Sequence, residues 1–200
     1  MPQFDLRHIY CAKYVNTAGT ISYTSPQQIG DAMTANIEVR YAEGRLYAES
    51  TLAEYMRKAV GGTISIGVKY IKDSAQMLMF GKRSKSRSIS YTPTGSTAST
   101  TESVAGLTLG GQDEGTYVGV AFYAPDMVDG EKKYTCVLIR KTLFGPPGMS
   151  LQTAGENIQF NTPVTSGEFL ADDSTSQELM EVATVGDENA AIAWVTAALT

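Results

Sequence analysis

The residues that could do chemistry are few. The chain has one histidine, His8, and two cysteines, Cys11 and Cys136. Nucleophilic catalysis of the Ser-His-Asp kind needs a histidine base beside an activated nucleophile. His8 sits in a strand-like segment without a Ser or Cys nucleophile motif, and no Gly-x-Ser-x-Gly elbow occurs. It reads as a structural histidine. One histidine and two distant cysteines cannot build a zinc cluster. Asp126, Asp129 and Glu131 lack the spacing of a calcium loop, and Asp172-Asp173 reads as solvated surface acid. Gly81-Lys82 falls short of a phosphate loop, because Gln76 stands where the first glycine belongs and Arg83 where Ser or Thr is needed. No Gly-x-Gly-x-x-Gly fingerprint occurs. Glycosidase chemistry needs only two carboxylates, and no pair is singled out. The expectation is a protein with no catalytic residues, no cofactor and no metal, not an enzyme.

The basic run at residues 82–87 (Lys82, Arg83, Lys85, Arg87) could touch phosphate. No aromatic residue interrupts it to stack on bases, and the acidic remainder of the chain repels a polyanion. The run reads as a solvated or inter-subunit segment rather than a nucleic-acid site.

The chain has 200 residues, enough for one domain with a true core. Charged residues are 18%, below the quarter usual in soluble proteins, which leaves more surface for partner contacts. The net charge of −5 conceals an asymmetry. Residues 1–100 carry 12 Lys and Arg against 7 Asp and Glu, a balance of +5; residues 101–200 carry 4 against 14, a balance of −10. No basic residue follows Lys141, whereas eight acids do. Such opposition suits head-to-tail stacking of copies. No apolar run approaches the ~20 residues that span a bilayer. The start, Met1-Pro2-Gln3-Phe4-Asp5, carries no secretory pattern, and the two cysteines read as buried thiols.

Period-two alternation dominates the elements that carry these residues. Strands are expected over residues 6–15, 21–24, 35–41 and 63–71. In the last of these Ile64, Ile66, Val68 and Tyr70 share a face. Residues 42–62 read as a long connection with a short helix around 51–58. Its apolar residues Leu46, Tyr47, Leu52, Tyr55 and Met56 would be wasted in water, so they are the candidate inter-subunit contacts. A short helix over residues 74–80 is expected, capped by Ser74 and closed by Gly81. The Ser/Thr-rich stretch 82–109 reads as a mobile loop or weakly patterned hairpin. Strands at 117–123 and 134–141 should pair across Asp129-Gly130. Further strands are expected at 157–161 and 167–170. An Ala-rich helix capped by Asp187, with Ile192, Val195 and Leu199 in a stripe, ends the acidic C-terminal region 172–200. The order is four strands and a helix, twice. The expected fold class is mainly β, a sandwich or barrel-like core with one or two flanking helices, in a single domain over 1–200.

These segments together resemble the major tail (tail-tube) proteins of long-tailed, non-contractile phages. The resemblance runs through residues 6–14 and Gly30-Asp31-Ala32-Met33-Thr34. It continues through Leu46-Tyr47-Ala48-Glu49-Ser50-Thr51-Leu52 and Gly61-Gly62-Thr63-Ile64-Ser65-Ile66. Tyr117-Val118-Gly119-Val120 and Gly130-Glu131-Lys132-Lys133-Tyr134 match the family's central hairpin. Gly155-Glu156-Asn157-Ile158-Gln159-Phe160-Asn161-Thr162-Pro163 is its most recognisable stretch, and Ala191-Ile192-Ala193-Trp194-Val195 closes it. Residues 82–109 carry none of the pattern.

The resemblance implies a tail-tube fold and a structural virion protein. Copies would form stacked, hexameric rings whose lumen conducts DNA during ejection. Its partners would be itself, tape-measure and terminator proteins, and passing DNA held without specific binding, with no membrane. It would be assembled in the host cytoplasm and reside in the virion tail. An acidic balance fits a lumen that must not hold phosphate. A related tube or terminator component of a phage-like or secretion-system tube, or a carbohydrate- or receptor-binding sandwich module, is the alternative.

Overall fold

A computed structural model describes residues 5–48, 51–128, 130–149 and 162–200. Ten strands and two helices follow in the order β1 (Arg7–Thr17), β2 (Thr20–Gln28), β3 (Ala32–Ala48), β4 (Thr51–Val68), α1 (Asp73–Phe80), β5 (Arg83–Tyr91), β6 (Thr100–Thr108), β7 (Val118–Val128), β8 (Glu131–Phe144), β9 (Val164–Leu170), β10 (Met180–Val185) and α2 (Glu188–Ala198). The fold is mainly β, with two helices and antiparallel pairing throughout the described strands.

The main sheet runs β2-β1-β7-β8-β9-β4-β3, with β10 on β8 as well. Strand β8 is long enough to hold two neighbours on one edge. Residues 134–139 pair with β10, and residues 141–144 pair with β9. The sheet folds over, so that Ile64, Ile66 and Val68 of β4 share one core with Ile9 and Cys11 of β1 and Val118 and Val120 of β7. Helix α1 fills the same core with Ala75, Met79 and Phe80. The opposite face of β1, β7 and β8 presents Ala12, Tyr14, Ala121, Tyr123, Cys136 and Leu138 to Ala191, Val195 and Leu199 of α2. Strand β7 is therefore buried on both faces from Val118 to Asp126.

Local chemistry sets the joints. Asp187 caps α2, its Oδ1 accepting from the N–H of Asn189 (2.8 Å) and Ala190 (3.3 Å), which satisfies two of the orphan donors at a helix start. Gly81 ends α1 in the left-handed conformation (φ 69°), and a Cβ there would lie 2.2 Å from the Glu114 carbonyl oxygen. Gly130, with φ 83°, follows the turn between β7 and β8 that Asp129-Gly130 predicted.

Several expectations change. Residues 42–48 and 51–62 are not a loop, and residues 51–58 are not a helix: they belong to β3 and β4, paired with each other. An eight-residue helix lacking a buried stripe is marginal in water, whereas the ladder bonds alternate residues of the two strands to each other and continues the pairing of the sheet. Residues 82–109 are mostly the β5–β6 hairpin. Ser74 is inside α1; the cap is Lys72, two residues before the expected one, and its ammonium has no acceptor to offer the helix N–H groups. Strand β2 continues through Pro26, which an edge strand tolerates. Tyr70 is half exposed, because β4 ends at Val68 and the alternation with it. Six strands lie between the two helices where four are expected: β10 is new, and β5 and β6 realise the hairpin of the two readings of residues 82–109. The strand expected at 157–161 lies outside the described residues.

Candidate assembly interface

The arm comes from a strand pair that outruns its sheet. Strand β9 pairs with β4 only at Gly62–Gly67, and β3 is an edge. Beyond Gly61, β3 and β4 pair only with each other, from Tyr41↔Ala59 to Ala48↔Thr51. At ~3.3 Å per residue this two-stranded arm reaches about 25 Å. It leaves the sheet at an irregularity between Arg40 and Tyr41, opposite Gly61 at φ 144°. A bulge of this kind bends a strand and increases its twist.

The two faces of the arm differ. One carries Tyr41, Glu43, Arg45, Tyr55 and Arg57, which meet across the strands. The Arg57 guanidinium lies 3.7 Å from the Tyr41 ring centre, and Arg45 lies 5.7 Å from that of Tyr55. Glu43 bridges both arginines, at 3.3 Å to Arg45 and 3.5 Å to Arg57. This ladder satisfies its own charges and stiffens the arm. The other face carries Gly44, Leu46, Glu54, Met56 and Lys58. Leu46 is 58% exposed and Met56 74%. Near the tip Tyr47 is 60% exposed and stands opposite Leu52 in the ladder. Of the five contact candidates from sequence, Leu46, Tyr47, Tyr55 and Met56 are thus exposed on one element. Tyr55 is committed to the arm's internal ladder.

The residues considered for chemistry are dispersed. His8 has φ 58° at the irregularity of β1 and packs its ring 4.7 Å from Tyr10 and 6.0 Å from Tyr123. Burial lowers its pKa. Cys11 and Cys136 are free, buried thiols in the two separate cores. Loss of water pushes Cys11 up to about 12 and Cys136 to about 11, which suppresses the thiolate. Among the described residues no three His, Cys, Asp or Glu side chains converge to hold a metal. A cavity of about 380 Å³ beside α1 is lined by Tyr70, Gln76, Lys82, Pro147, Met149 and Thr162, with no Asp, Glu, His or Cys among its described lining residues.

Two features escaped sequence reasoning. The cations Arg83, Lys85 and Arg87 alternate along β5 and so project from one face of an exposed hairpin. Their i, i+2 spacing, continued by Ile89 and Tyr91, was a readable strand signal. The second is an acidic ridge where Asp172, Glu178 and Glu181 surround Arg140, with the Arg140–Glu181 contact at 3.1 Å and Arg140–Asp172 at 3.7 Å. Asp172 is buried and organises the turn before β10. Its Oδ1 accepts from Ser174 Oγ (2.5 Å) and from the N–H of Ser174 (3.2 Å) and Glu178 (2.9 Å). Only the fold brings Arg140 to these acids. No helix among the described residues is long and apolar enough to cross a membrane. Compared with known proteins, the chain matches no protein-family model and no curated protein.

Proposed function

We propose that this protein is a self-assembling structural subunit of a phage-type tail tube, whose rings stack through the β3–β4 arm. The observation that carries this reading is the arm itself. It projects about 25 Å of paired strand past the sheet, with Leu46, Tyr47 and Met56 exposed. Burial of side chains of this size is worth ~1.5–3 kcal/mol each, which a monomer forgoes and a stacked neighbour recovers. Isolated two-stranded ribbons are marginal in water, so an arm of this length gains most when it lies on a partner. The opposed charge of the two chain halves supports head-to-tail contact. The family resemblance of the segment order supplies the ring, the DNA-conducting lumen, the virion location, and the tape-measure and terminator proteins as partners.

Electron microscopy of the purified protein tests the reading, and tubes or stacked rings are expected. Replacing residues 42–58 by Asn-Gly joins Tyr41 to Ala59 through a two-residue hairpin turn. That variant should keep its circular dichroism spectrum and form ring-sized particles but no tubes. A wild-type protein that stays monomeric at high concentration, or tubes unchanged in the shortened variant, would sink the proposal.

A further inference from the structure

Strands β5 and β6 form a second projection of a different kind. They pair only with each other, and every residue of β5 and the first seven of β6 are exposed. The hairpin's two faces are unlike. One is a hydroxyl ladder, with Ser86 Oγ 2.6 Å from Ser103 Oγ and Ser90 Oγ 2.8 Å from Thr101 Oγ1. The other carries Arg83, Lys85, Arg87, Ile89 and Tyr91. Asp113 neutralises Arg83 at 3.0 Å, and Tyr91 hydrogen-bonds Glu102. Lys85 and Arg87 form no ion pair among the described residues, and with Glu102 opposite Ile89 on the same face the hairpin keeps one excess positive charge, next to Ile89 and Val104.

Strand β10 is an open sheet edge. It pairs with β8 on one side, and no described strand pairs with the other. The Arg140 N–H donates to the Leu179 carbonyl (3.2 Å), directly opposite it in the ladder. By the alternation of an antiparallel pair, Glu181, Ala183 and Val185 also bond inward, and Met180, Val182 and Thr184 turn their backbone groups outward. Val182 is 55% exposed on this edge, with no lysine or proline to guard it. Beside it runs the ridge of Asp172, Glu178 and Glu181 around one Arg140, three negative charges against one positive.

We infer that the β5–β6 hairpin of one copy lies along the β10 edge of a second copy and extends its sheet, with Lys85 and Arg87 against the Glu178–Glu181 ridge. A hairpin face of net positive charge meets a ridge of net negative charge, and open strand edges meet open strand edges. The contact is head-to-tail, since hairpin and edge are different surfaces, and repetition of one such contact closes a ring or continues as a chain. It rests on the reading of the chain as a self-assembling subunit and adds a lateral contact distinct from the arm.

The test uses two variants of the full chain, each complete at one half of the contact. Replacing residues 85–106 by Asn-Gly removes the hairpin but keeps the Ser84↔Leu107 pair, and leaves β10 intact. Val182→Pro deletes an outward N–H, which an edge strand tolerates, and leaves the hairpin intact; Val182→Lys is the substitute should the proline variant unfold. Analytical ultracentrifugation should find each variant monomeric where wild type associates, and an equimolar mixture should form a 1:1 complex. Lys85→Glu with Arg87→Glu should weaken wild-type association on the order of tenfold. Folded variants that associate like wild type, or a mixture that stays monomeric, would overturn the inference. So would loss of duplex-DNA binding by the double charge reversal with association unchanged. Hairpin-dependent oligomers that never form tubes would keep this inference and remove the tail-tube reading. Tubes that form without the hairpin would do the reverse.

Discussion

Gly61 is where the arm parts from the sheet, and its backbone makes that possible. Its φ of 144° lies in a region that side chains avoid, and a Cβ would stand 2.6 Å from the Phe169 carbonyl oxygen. Gly61→Val must either distort this angle or push β9 away from β4. A loss of about 2 kcal/mol or more is expected, from backbone strain of 1–3 kcal/mol plus the clash. Urea unfolding of the monomer measures it, and an unchanged midpoint would show that the bend does not depend on glycine.

Two carboxylates tie the outer core together. Glu188, at the start of α2, accepts from Tyr123 Oη (2.9 Å) and Arg7 Nη1 (2.9 Å). Asp173 accepts from Tyr14 Oη (2.9 Å) and Lys141 Nζ (2.8 Å). Both pKa values lie below their ordinary ones, Glu188 chiefly through the Tyr123 hydrogen bond and Asp173 chiefly through Lys141. With the folded values depressed, the unfolded chain binds more protons as acid is added. The stability from each group is complete above its ordinary value, 4.5 for Glu188 and 3.8 for Asp173, and is lost as pH falls through the lower folded value. The thermal midpoint should therefore drop between about pH 5 and pH 3. Glu188→Gln with Asp173→Asn should flatten that drop; a midpoint profile identical to wild type would remove these groups from the acid response.

At the scale of elements, the two hairpin projections differ in design. The β3–β4 arm grows from a strand pair rooted in the main sheet, and its Tyr-Arg-Glu-Arg-Tyr ladder stiffens it. The β5–β6 hairpin is its own sheet, with no core beneath it. Local opening free energies follow such differences in support. In the monomer, amides of β5 and β6 should exchange fastest among the strands, the distal arm next, and those of β7, buried on both faces, slowest. Assembly should protect β5, β6 and β10 together if the lateral contact is as inferred. Hydrogen exchange on monomer and assembled protein checks both statements. Protection confined to other elements on assembly would count against that contact.

For the whole molecule, the β8 fork decides the shape. One edge of β8 serves two strands in succession, so the sheet divides. The β10 branch stays under α2, and the β9-β4-β3 branch turns over to close the other core. The arm, the hairpin and the β10 edge are left as three separate unpaired surfaces on one molecule. Monomers usually blunt or cover such edges, and a subunit built to associate has reason to keep them.

The sequence by itself determined the mainly β class, the first four strands and α1 in order, the β7–β8 turn at Asp129-Gly130, and the cap at Asp187. Each of these rests on local rules: two-residue alternation, turn residues with positive φ, and a side chain that bonds its own helix start. The apolar residues Leu46, Tyr47 and Met56 stand out in the sequence among charges, and the structure leaves all three exposed. Tertiary structure alone decided that residues 42–48 and 51–62 are strand, because strand and short helix compete evenly until a partner strand is in register. It also decided which edge of β8 receives β10, that Tyr55 bonds inward to the arm's own ladder, and that Arg140 meets Asp172, Glu178 and Glu181. Those are contacts between residues distant in the chain, and no local pattern encodes them. The fold likewise decides where the two thiols lie, Cys11 in the core under α1 and Cys136 in the core under α2.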